Sequence, residues 1–444
     1  MESFIIRGGN RLVGSVIVSG AKNSALKLMA ASLLGEDVSV LRNVPKIKDV
    51  YTMAQVLEVL GVEVDSSQGD QVIIRPGSHL ECEAPYELVS QMRASIIVLG
   101  PLLARLGRAR VAMPGGCNIG SRKIDLHIRG LETLGAKIEV GHGYLEARAN
   151  ELRGGLIPLD FPSVGATENV LMAATLARGV TIIENAAREP EIVDLANFLN
   201  QMGARIKGAG TSTIKVQGVK ELHGADYTVI PDRIEAGTFF VAAAITQGNI
   251  LVRNARVEHL NLVISKLKEV GVQVEELPQG IRVSSQDRPQ PVDIATLPYP
   301  GFPTDMQPQM MALLSLARGT SIITENVFES RFTIVDELNR MGSNICIRDH
   351  HVIIRGVQGL TGAPVKVPDL RGGAALVLAG LAAEGVTEVR DVHHIDRGYE
   401  NFEHKLRALG ADINRVTKYA MYDSGYIRSE TQFTSRDTGY TIQP

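Results

Sequence analysis

Ala166-Thr167-Glu168-Asn169-Val170-Leu171-Met172-Ala173-Ala174-Thr175-Leu176-Ala177-Arg178-Gly179 is rich in small and apolar residues, ends in glycine and runs on into Val180-Thr181-Ile182-Ile183. Such a stretch reads as a buried helix, a glycine at its C-terminal cap and then a strand. The same figure recurs at 24–35, 94–107, 236–248, 306–319 and 373–385. Its closing glycines, Gly35, Gly107, Gly179, Gly248, Gly319 and Gly385, stand 72, 72, 69, 71 and 66 residues apart by subtraction. A β-like run follows each, at 38–41, 109–111, 180–183, 250–252, 321–323 and 387–389.

A second marker keeps the same period. An amphipathic helix, a glycine and a short strand meet at Gly61, Gly135, Gly203, Gly271, Gly342 and Gly410, spaced 74, 68, 68, 71 and 68. Two independent markers at one period mean six copies of a unit that reads helix–strand–helix–strand–strand. The first helix of each unit is apolar nearly all round, as in Ile96-Ile97-Val98-Leu99, and is therefore expected inside; the second, as in 192–202 and 401–409, is amphipathic and faces water on one side. The fold class that follows is α/β: two inside-out, barrel-like globules, each of three repeated units with buried helices and outer sheets. A solenoid is the rival arrangement, but units of about 70 residues are long for one. The break between globules is expected near Val229-Ile230-Pro231, and the polar stretch 417–444 falls outside the repeat.

Composition narrows the class. The 444 residues carry 46 basic and 49 acidic side chains, a net charge of −3, so no overall field points to nucleic acid or to a membrane surface. Three cysteines, Cys82, Cys117 and Cys346, are too few for a disulfide framework and lack metal-binding spacing. No signal-type segment and no long apolar run is present, so a cytoplasmic protein is expected.

The chemistry collects ahead of the buried helices. Lys22-Asn23, Arg93, Ser163-Val164-Gly165, Asp232-Arg233, Thr304-Asp305 and Asp369 to Arg371 occupy those positions. Helix starts attract anions, and a cation placed there is disfavoured unless an anion joins it, so these residues predict an anion-seeking cleft. Asp232 and Ser163 have a plain capping role as an alternative. The first strands lead to a matching set: Lys48, Arg122, Glu189, Arg331 and Arg397. Pro114-Gly115-Gly116-Cys117-Asn118-Ile119-Gly120-Ser121-Arg122 places a thiol in a glycine-rich loop able to approach a ligand closely. Asp305, in a proline-rich approach at 300–306, is a candidate general base. His127 reads either as a surface histidine or as a phosphate contact. His393-His394 has no spacing that suits a metal, and no metal site is expected.

These motifs resemble the UDP-N-acetylglucosamine 1-carboxyvinyltransferases over roughly residues 1–416. The pieces that carry the likeness are Ser19-Gly20-Ala21-Lys22-Asn23, Met92-Arg93-Ala94-Ser95, the 114–122 loop, Asn185-Ala186-Ala187-Arg188-Glu189-Pro190-Glu191, Pro231-Asp232-Arg233, Phe302-Pro303-Thr304-Asp305-Met306-Gln307 and His394-Ile395-Asp396-Arg397-Gly398-Tyr399. The resemblance implies a first globule of 22–230 and a second of 1–21 with 231–416. It implies addition of the 3′-hydroxyl of UDP-N-acetylglucosamine to C2 of phosphoenolpyruvate, followed by loss of phosphate, in peptidoglycan synthesis. No cofactor and no partner beyond these two small molecules is implied, and a monomer is expected. By analogy Lys22, Asn23, Arg93, Arg122, Arg331, Arg371 and Arg397 hold phosphoenolpyruvate. Asn23, Arg93, Arg122, His127, Ser163, Val164, Gly165, Asp305 and Val327 contact the sugar nucleotide. Cys117, Asp305, Lys22 and Arg397 are the implied catalytic residues, Asp305 as base and Cys117 as proton donor to C3 or covalent nucleophile. Phe161-Pro162 departs from relatives that carry a lysine there. The rivals are 5-enolpyruvylshikimate-3-phosphate synthase, which lacks the Gly-Gly-Cys loop, and a sugar-nucleotide-binding paralogue that regulates without catalysing.

Overall fold

The computed structural model describes residues 2–77, 79–113, 124–328 and 330–417, Arg93 by its backbone alone. Cys117, Arg122 and the tail beyond Thr417 lie outside the described residues. Among the described residues, six four-stranded sheets surround two bundles of helices. One sheet shows the plan of all. Leu156–Pro158 runs parallel to Val180–Glu184, which pairs antiparallel with Thr213–Gln217, which pairs in turn with Arg205–Lys207. Burial alternates along these strands (Thr213–Gln217 reads exposed, buried, exposed, buried, intermediate), so one face of each sheet packs inward and the other meets solvent.

Each sheet thus holds a fourth strand that the repeat reading did not contain. It is short, often two or three residues, and too brief to leave a period-two signal. In two units it comes from elsewhere in the chain. Asp226–Thr228 closes the first globule against Ser39–Arg42, and Val13–Ile17 joins Asn249–Arg253 in the second. The sixth sheet is completed by Glu2–Arg7, inserted between Val386–Arg390 and Asp412–Thr417.

The six core helices are Lys22–Ala31, the 3-10 turn Arg93–Val98 continued by Leu99–Leu106, Val164–Ala174, Arg233–Ile245, Gln307–Leu314 and Leu370–Ala382. Every residue from Ile234 to Ile245 and from Leu370 to Leu381 is buried, which explains their uniform apolarity. Their packing forms two separate cores, one containing Ala25, Leu102 and Leu171, the other Phe240, Met311 and Leu376. Phe4 to Val18 pack in the second and Ala21 to Val229 in the first. The chain passes between them twice, side by side: Ala21 N–H donates to the Ile230 carbonyl at 2.7 Å, and Asp232 N–H to Ser19 at 2.9 Å.

The glycine reading needs one correction. Only Gly107 caps its α-helix in the left-handed region, at φ 67°. Gly179 lies beyond the Val164–Ala174 helix at the start of its strand, and Gly248 does not have positive φ at all. The second set behaves uniformly: Gly61, Gly135, Gly203, Gly271, Gly342 and Gly410 all have φ between 88° and 106°. Those positions close the amphipathic helices, where a left-handed residue turns the chain into the next strand.

Candidate active site

The starts of the core helices face one cleft of about 800 Å³ between the two cores. Lys22, Asn23, His127, Ser163, Val164, Gly165, Asp305, Val327, Arg331, Arg371 and Arg397 all line it. Residues as far apart in the chain as Lys22 and Arg397 are thereby brought together. Arg93 opens the second core helix with its backbone. Of the strand-end set, Lys48 is exposed on the surface, and its neighbour Asp49 turns into the cleft instead.

Two clusters of charge line the cleft. In the first, Asp49 is a buried carboxylate shared by two cations: Lys22 Nζ lies 2.8 Å from Oδ2, and Arg397 Nε lies 2.9 Å from Oδ1. Asp49 sits in the first turn of Lys48–Val59, where the helix start favours negative charge. Burial alone would raise its carboxyl, but Lys22 and Arg397 overcome that and hold it below the ordinary carboxylate value. Burial draws the Lys22 ammonium below its ordinary value; Asp49 opposes this, while Arg371 and Arg397 add to it.

In the second cluster, Asp305 pairs with Arg331 at 2.7 Å and with Arg371 at 3.2 Å, both guanidiniums only 3% exposed. Arg331 also donates to Thr304 Oγ1 at 3.0 Å, and Thr304 donates to Glu325 at 2.9 Å. Glu325 accepts as well from Thr296 Oγ1 and from the backbone N–H groups of Val327 and Phe328, at 2.8 to 3.0 Å. One buried carboxylate thus sets the loop that carries Val327 and the residue that steadies Arg331. Behind Arg371, Tyr399 shares a buried network with Thr238 and Gln309.

A third pair crosses the cleft: Arg233, at the start of the fourth core helix, bonds Glu191 at 3.0 Å. Lys22, Arg233 and Arg371 therefore each hold an internal carboxylate. That corrects the expectation that only a bound anion explains them. Asp232 fulfils the capping alternative, accepting from the N–H groups of Ile234 and Glu235, and also takes the Lys22 N–H at 3.0 Å across the crossover.

The remaining end of the cleft is built on the third core helix. Ser163 caps it weakly through Ala166 N–H at 3.4 Å, so its capping alternative holds too. Glu168 is fully buried and meets Lys27 at 3.1 Å; burial pushes its carboxyl up to about 7, Lys27 opposing and Glu191 and Glu189 reinforcing. Asn169 contacts His127 Nδ1 at 2.9 Å, and His127 is only 8% exposed, which removes the surface-histidine reading. Asp49, Glu168, Asn169, Glu191 and Glu325 were not singled out from sequence. For Asp49 the available signal was its place one residue after the marked Lys48.

The pattern of EPSP synthase (3-phosphoshikimate 1-carboxyvinyltransferase) matches residues 6–406. The chain is 58% identical over 419 residues to UDP-N-acetylglucosamine 1-carboxyvinyltransferase 2 of Carboxydothermus hydrogenoformans, covering 94% of this chain and all of that one. It is also 58% identical over 415 residues to UDP-N-acetylglucosamine 1-carboxyvinyltransferase 1 of Caldanaerobacter subterraneus subsp. tengcongensis, covering 93% and 99%. Among solved structures, the enolpyruvyl transferase NikO of Streptomyces tendae superposes with a TM-score of 0.85 at 26% identity, covering 93% of this chain and 98% of that one. An EPSP synthase of Acinetobacter baumannii gives 0.73 at 20% identity, covering 94% and 100%, a likeness of fold. With its sixfold architecture, its charged cleft and these relatives, the chain belongs to the UDP-N-acetylglucosamine 1-carboxyvinyltransferases within the EPSP synthase family.

Proposed function

We propose that this cleft adds the 3′-hydroxyl of UDP-N-acetylglucosamine to C2 of phosphoenolpyruvate and then expels phosphate, the enolpyruvyl transfer that begins peptidoglycan synthesis. The observation that carries the reading is the pair of ion clusters, Lys22–Asp49–Arg397 and Arg331–Asp305–Arg371, that line one cleft. A small substrate with a phosphate and a carboxylate needs several cations at fixed spacing, and arginine forks suit both groups.

In the addition step the alcohol oxygen bonds to C2 while its proton passes to a base and a second proton arrives at C3. In the elimination step C3 gives up a proton and the C2–O bond to phosphate breaks, leaving the enol ether. Asp305 is assigned as the base, Lys22 and Arg397 as the phosphate ligands, and Arg331 and Arg371 as the carboxylate side. Cys117, which sequence places in the glycine loop, is assigned as the C3 proton donor, with a covalent adduct as its alternative. Base and acid of opposite tuning on two sides of one substrate are what this chemistry requires. Asn23, Arg93, Arg122, His127, Ser163, Val164, Gly165 and Val327 complete the substrate contacts. The described lining of the cleft comes from one chain, and a monomer belongs to the same proposal. No described helix is long and apolar enough to cross a membrane, and a cytoplasmic setting belongs to the same proposal.

The test is phosphate release from phosphoenolpyruvate with UDP-N-acetylglucosamine or shikimate 3-phosphate as acceptor. Release with the sugar nucleotide alone is expected. Release with shikimate 3-phosphate would overturn the acceptor assignment. Binding of the sugar nucleotide without release would favour a regulatory chain.

A further inference from the structure

We propose that Asn169 is a positioning residue that holds the His127 ring in its Nε2–H form, turning a donor toward the sugar-nucleotide end of the cleft. The proposal rests on the function given above. Neither residue type identifies such a role alone; their surroundings do.

Fixed partners decide which way the Asn169 amide faces. The Gly100 N–H can only donate, and it lies 2.7 Å from Asn169 Oδ1. The Ile96 carbonyl can only accept, and Asn169 Nδ2 lies 3.1 Å from it. Oxygen and nitrogen of this amide therefore cannot be exchanged without breaking both bonds in a site with no exposure to solvent. The other amide hydrogen then meets His127 Nδ1 at 2.9 Å. A ring nitrogen that receives an N–H must offer its lone pair, so the ring proton resides on Nε2.

The geometry of the far edge gives this tautomer a purpose. A β-carbon at Gly165 would stand 3.1 Å from His127 Cε1 and 3.2 Å from Nε2. Glycine there lets the ring close on the first turn of Val164–Ala174, whose leading N–H groups favour an anion. Ring donor and helix start thus converge on the same mouth, which His127, Ser163 and Gly165 all line. The ligand class that fits is an anionic oxygen, and within the proposed substrate that is the diphosphate. Asn169 touches no ligand in this arrangement. It acts through the ring.

The tautomer can be read directly in the ligand-free, full-length protein labelled with 15N at histidine. Two-bond proton–nitrogen correlation reports which ring nitrogen is protonated, and loss of one set of signals in His127→Gln assigns it. A protonated Nε2 with bare Nδ1 at neutral pH is expected; a protonated Nδ1 would overturn the proposal. Asn169→Asp then offers Nδ1 an acceptor, whereas Asn169→Thr keeps a hydroxyl donor. The aspartate variant should move the proton to Nδ1 and raise KM for UDP-N-acetylglucosamine about tenfold, with KM for phosphoenolpyruvate little changed. The threonine variant, whose single hydroxyl cannot also serve the Gly100 N–H and the Ile96 carbonyl, should be less stable but keep the proton on Nε2 and the lower KM. Equal losses in the two variants, or a raised KM with an unmoved proton, would make Asn169 a packing residue only. Wild-type phosphate release is measured alongside. Failure of that release sinks the functional reading, while the spectrum still judges the tautomer.

Discussion

Asp49 shows how much one side chain decides in this cleft. It is the main influence holding Lys22 in its charged form against burial and two neighbouring guanidiniums. Asp49→Asn removes that influence and leaves Arg397 without its 2.9 Å partner. The ammonium should then lose its proton at lower pH, so the alkaline limb of kcat/KM for phosphoenolpyruvate should move down by about one unit or more. A pH profile of phosphate release checks this; an unmoved limb with a uniformly lower rate would mean Asp49 serves packing alone. Glu168 makes an independent prediction about stability. Its carboxyl titrates at about 7 in the fold against 4.5 when unfolded, so the folded state binds more protons between those values. Stability should therefore fall as pH rises from about 4.5 to 7 and stay level above. Denaturation at pH 5 and pH 8 should show that Glu168→Gln loses a slope on the order of 3 kcal/mol, the equivalent of that shift. A wild-type slope unchanged in the variant would assign it to other groups. Both carboxylates escaped the sequence reading for one reason: it followed cations at helix starts, and nothing in a sequence states which acid a cation will meet.

Elements were more legible than residues. Ile96-Ile97-Val98-Leu99 and Ala374 to Ala379 read as buried helices because they are apolar all round, and the structure buries them. The strands after them, such as Val180–Glu184, emerged for the same reason, with boundaries shifted by a residue or two. Pro364–Lys366 and Glu83–Ala84 did not, since two or three residues show no period, and their pairing depends on partners the chain supplies later. That Glu2–Arg7 completes the sixth sheet is likewise a long-range fact. Two predictions belong here. At the crossover, a β-carbon on Gly20 would fall 1.7 Å from the Asn43 carbonyl oxygen, a backbone atom that cannot swing away. Gly20→Ala should cost on the order of 3 kcal/mol or more in denaturant unfolding and disturb Lys22 two residues on. In the 325–331 loop, Glu325 takes four hydrogen bonds and reaches Arg331 through Thr304. Glu325→Gln turns an N–H toward donors that need an acceptor. The expected result is a fall in kcat of about 10-fold or more with the melting temperature lowered only modestly. A large loss of melting temperature with normal kcat would place Glu325 in the scaffold instead.

At the scale of the whole chain, two bodies with separate cores are joined by two adjacent crossovers and by ion pairs that span the cleft. Asp49 to Arg397 and Glu191 to Arg233 both connect the first core's elements to the second's. Buried pairs of this kind give little net stability, because desolvation offsets attraction, yet removing one partner strands the other at a cost of about 3–5 kcal/mol. Their value here lies in geometry: they fix how the two halves of the substrate site face each other. Cooperation between the bodies should therefore be weak without ligand and strong with it. Calorimetry of the ligand-free chain should give a van't Hoff enthalpy below the calorimetric one, the sign of two units unfolding in part separately. UDP-N-acetylglucosamine at 100 times its dissociation constant adds about 2.7 kcal/mol to whatever unit it requires intact. If it touches both bodies, both transitions should rise and merge. In Glu191→Gln/Arg233→Met, which removes one bridge and also takes from Glu189 its neighbouring cation, the ligand-free transitions should separate further while the ligand still draws them together. A ligand that raised one transition alone would show that the sugar nucleotide sits on one globule, and that the cleft closes over it by some contact other than these two bridges.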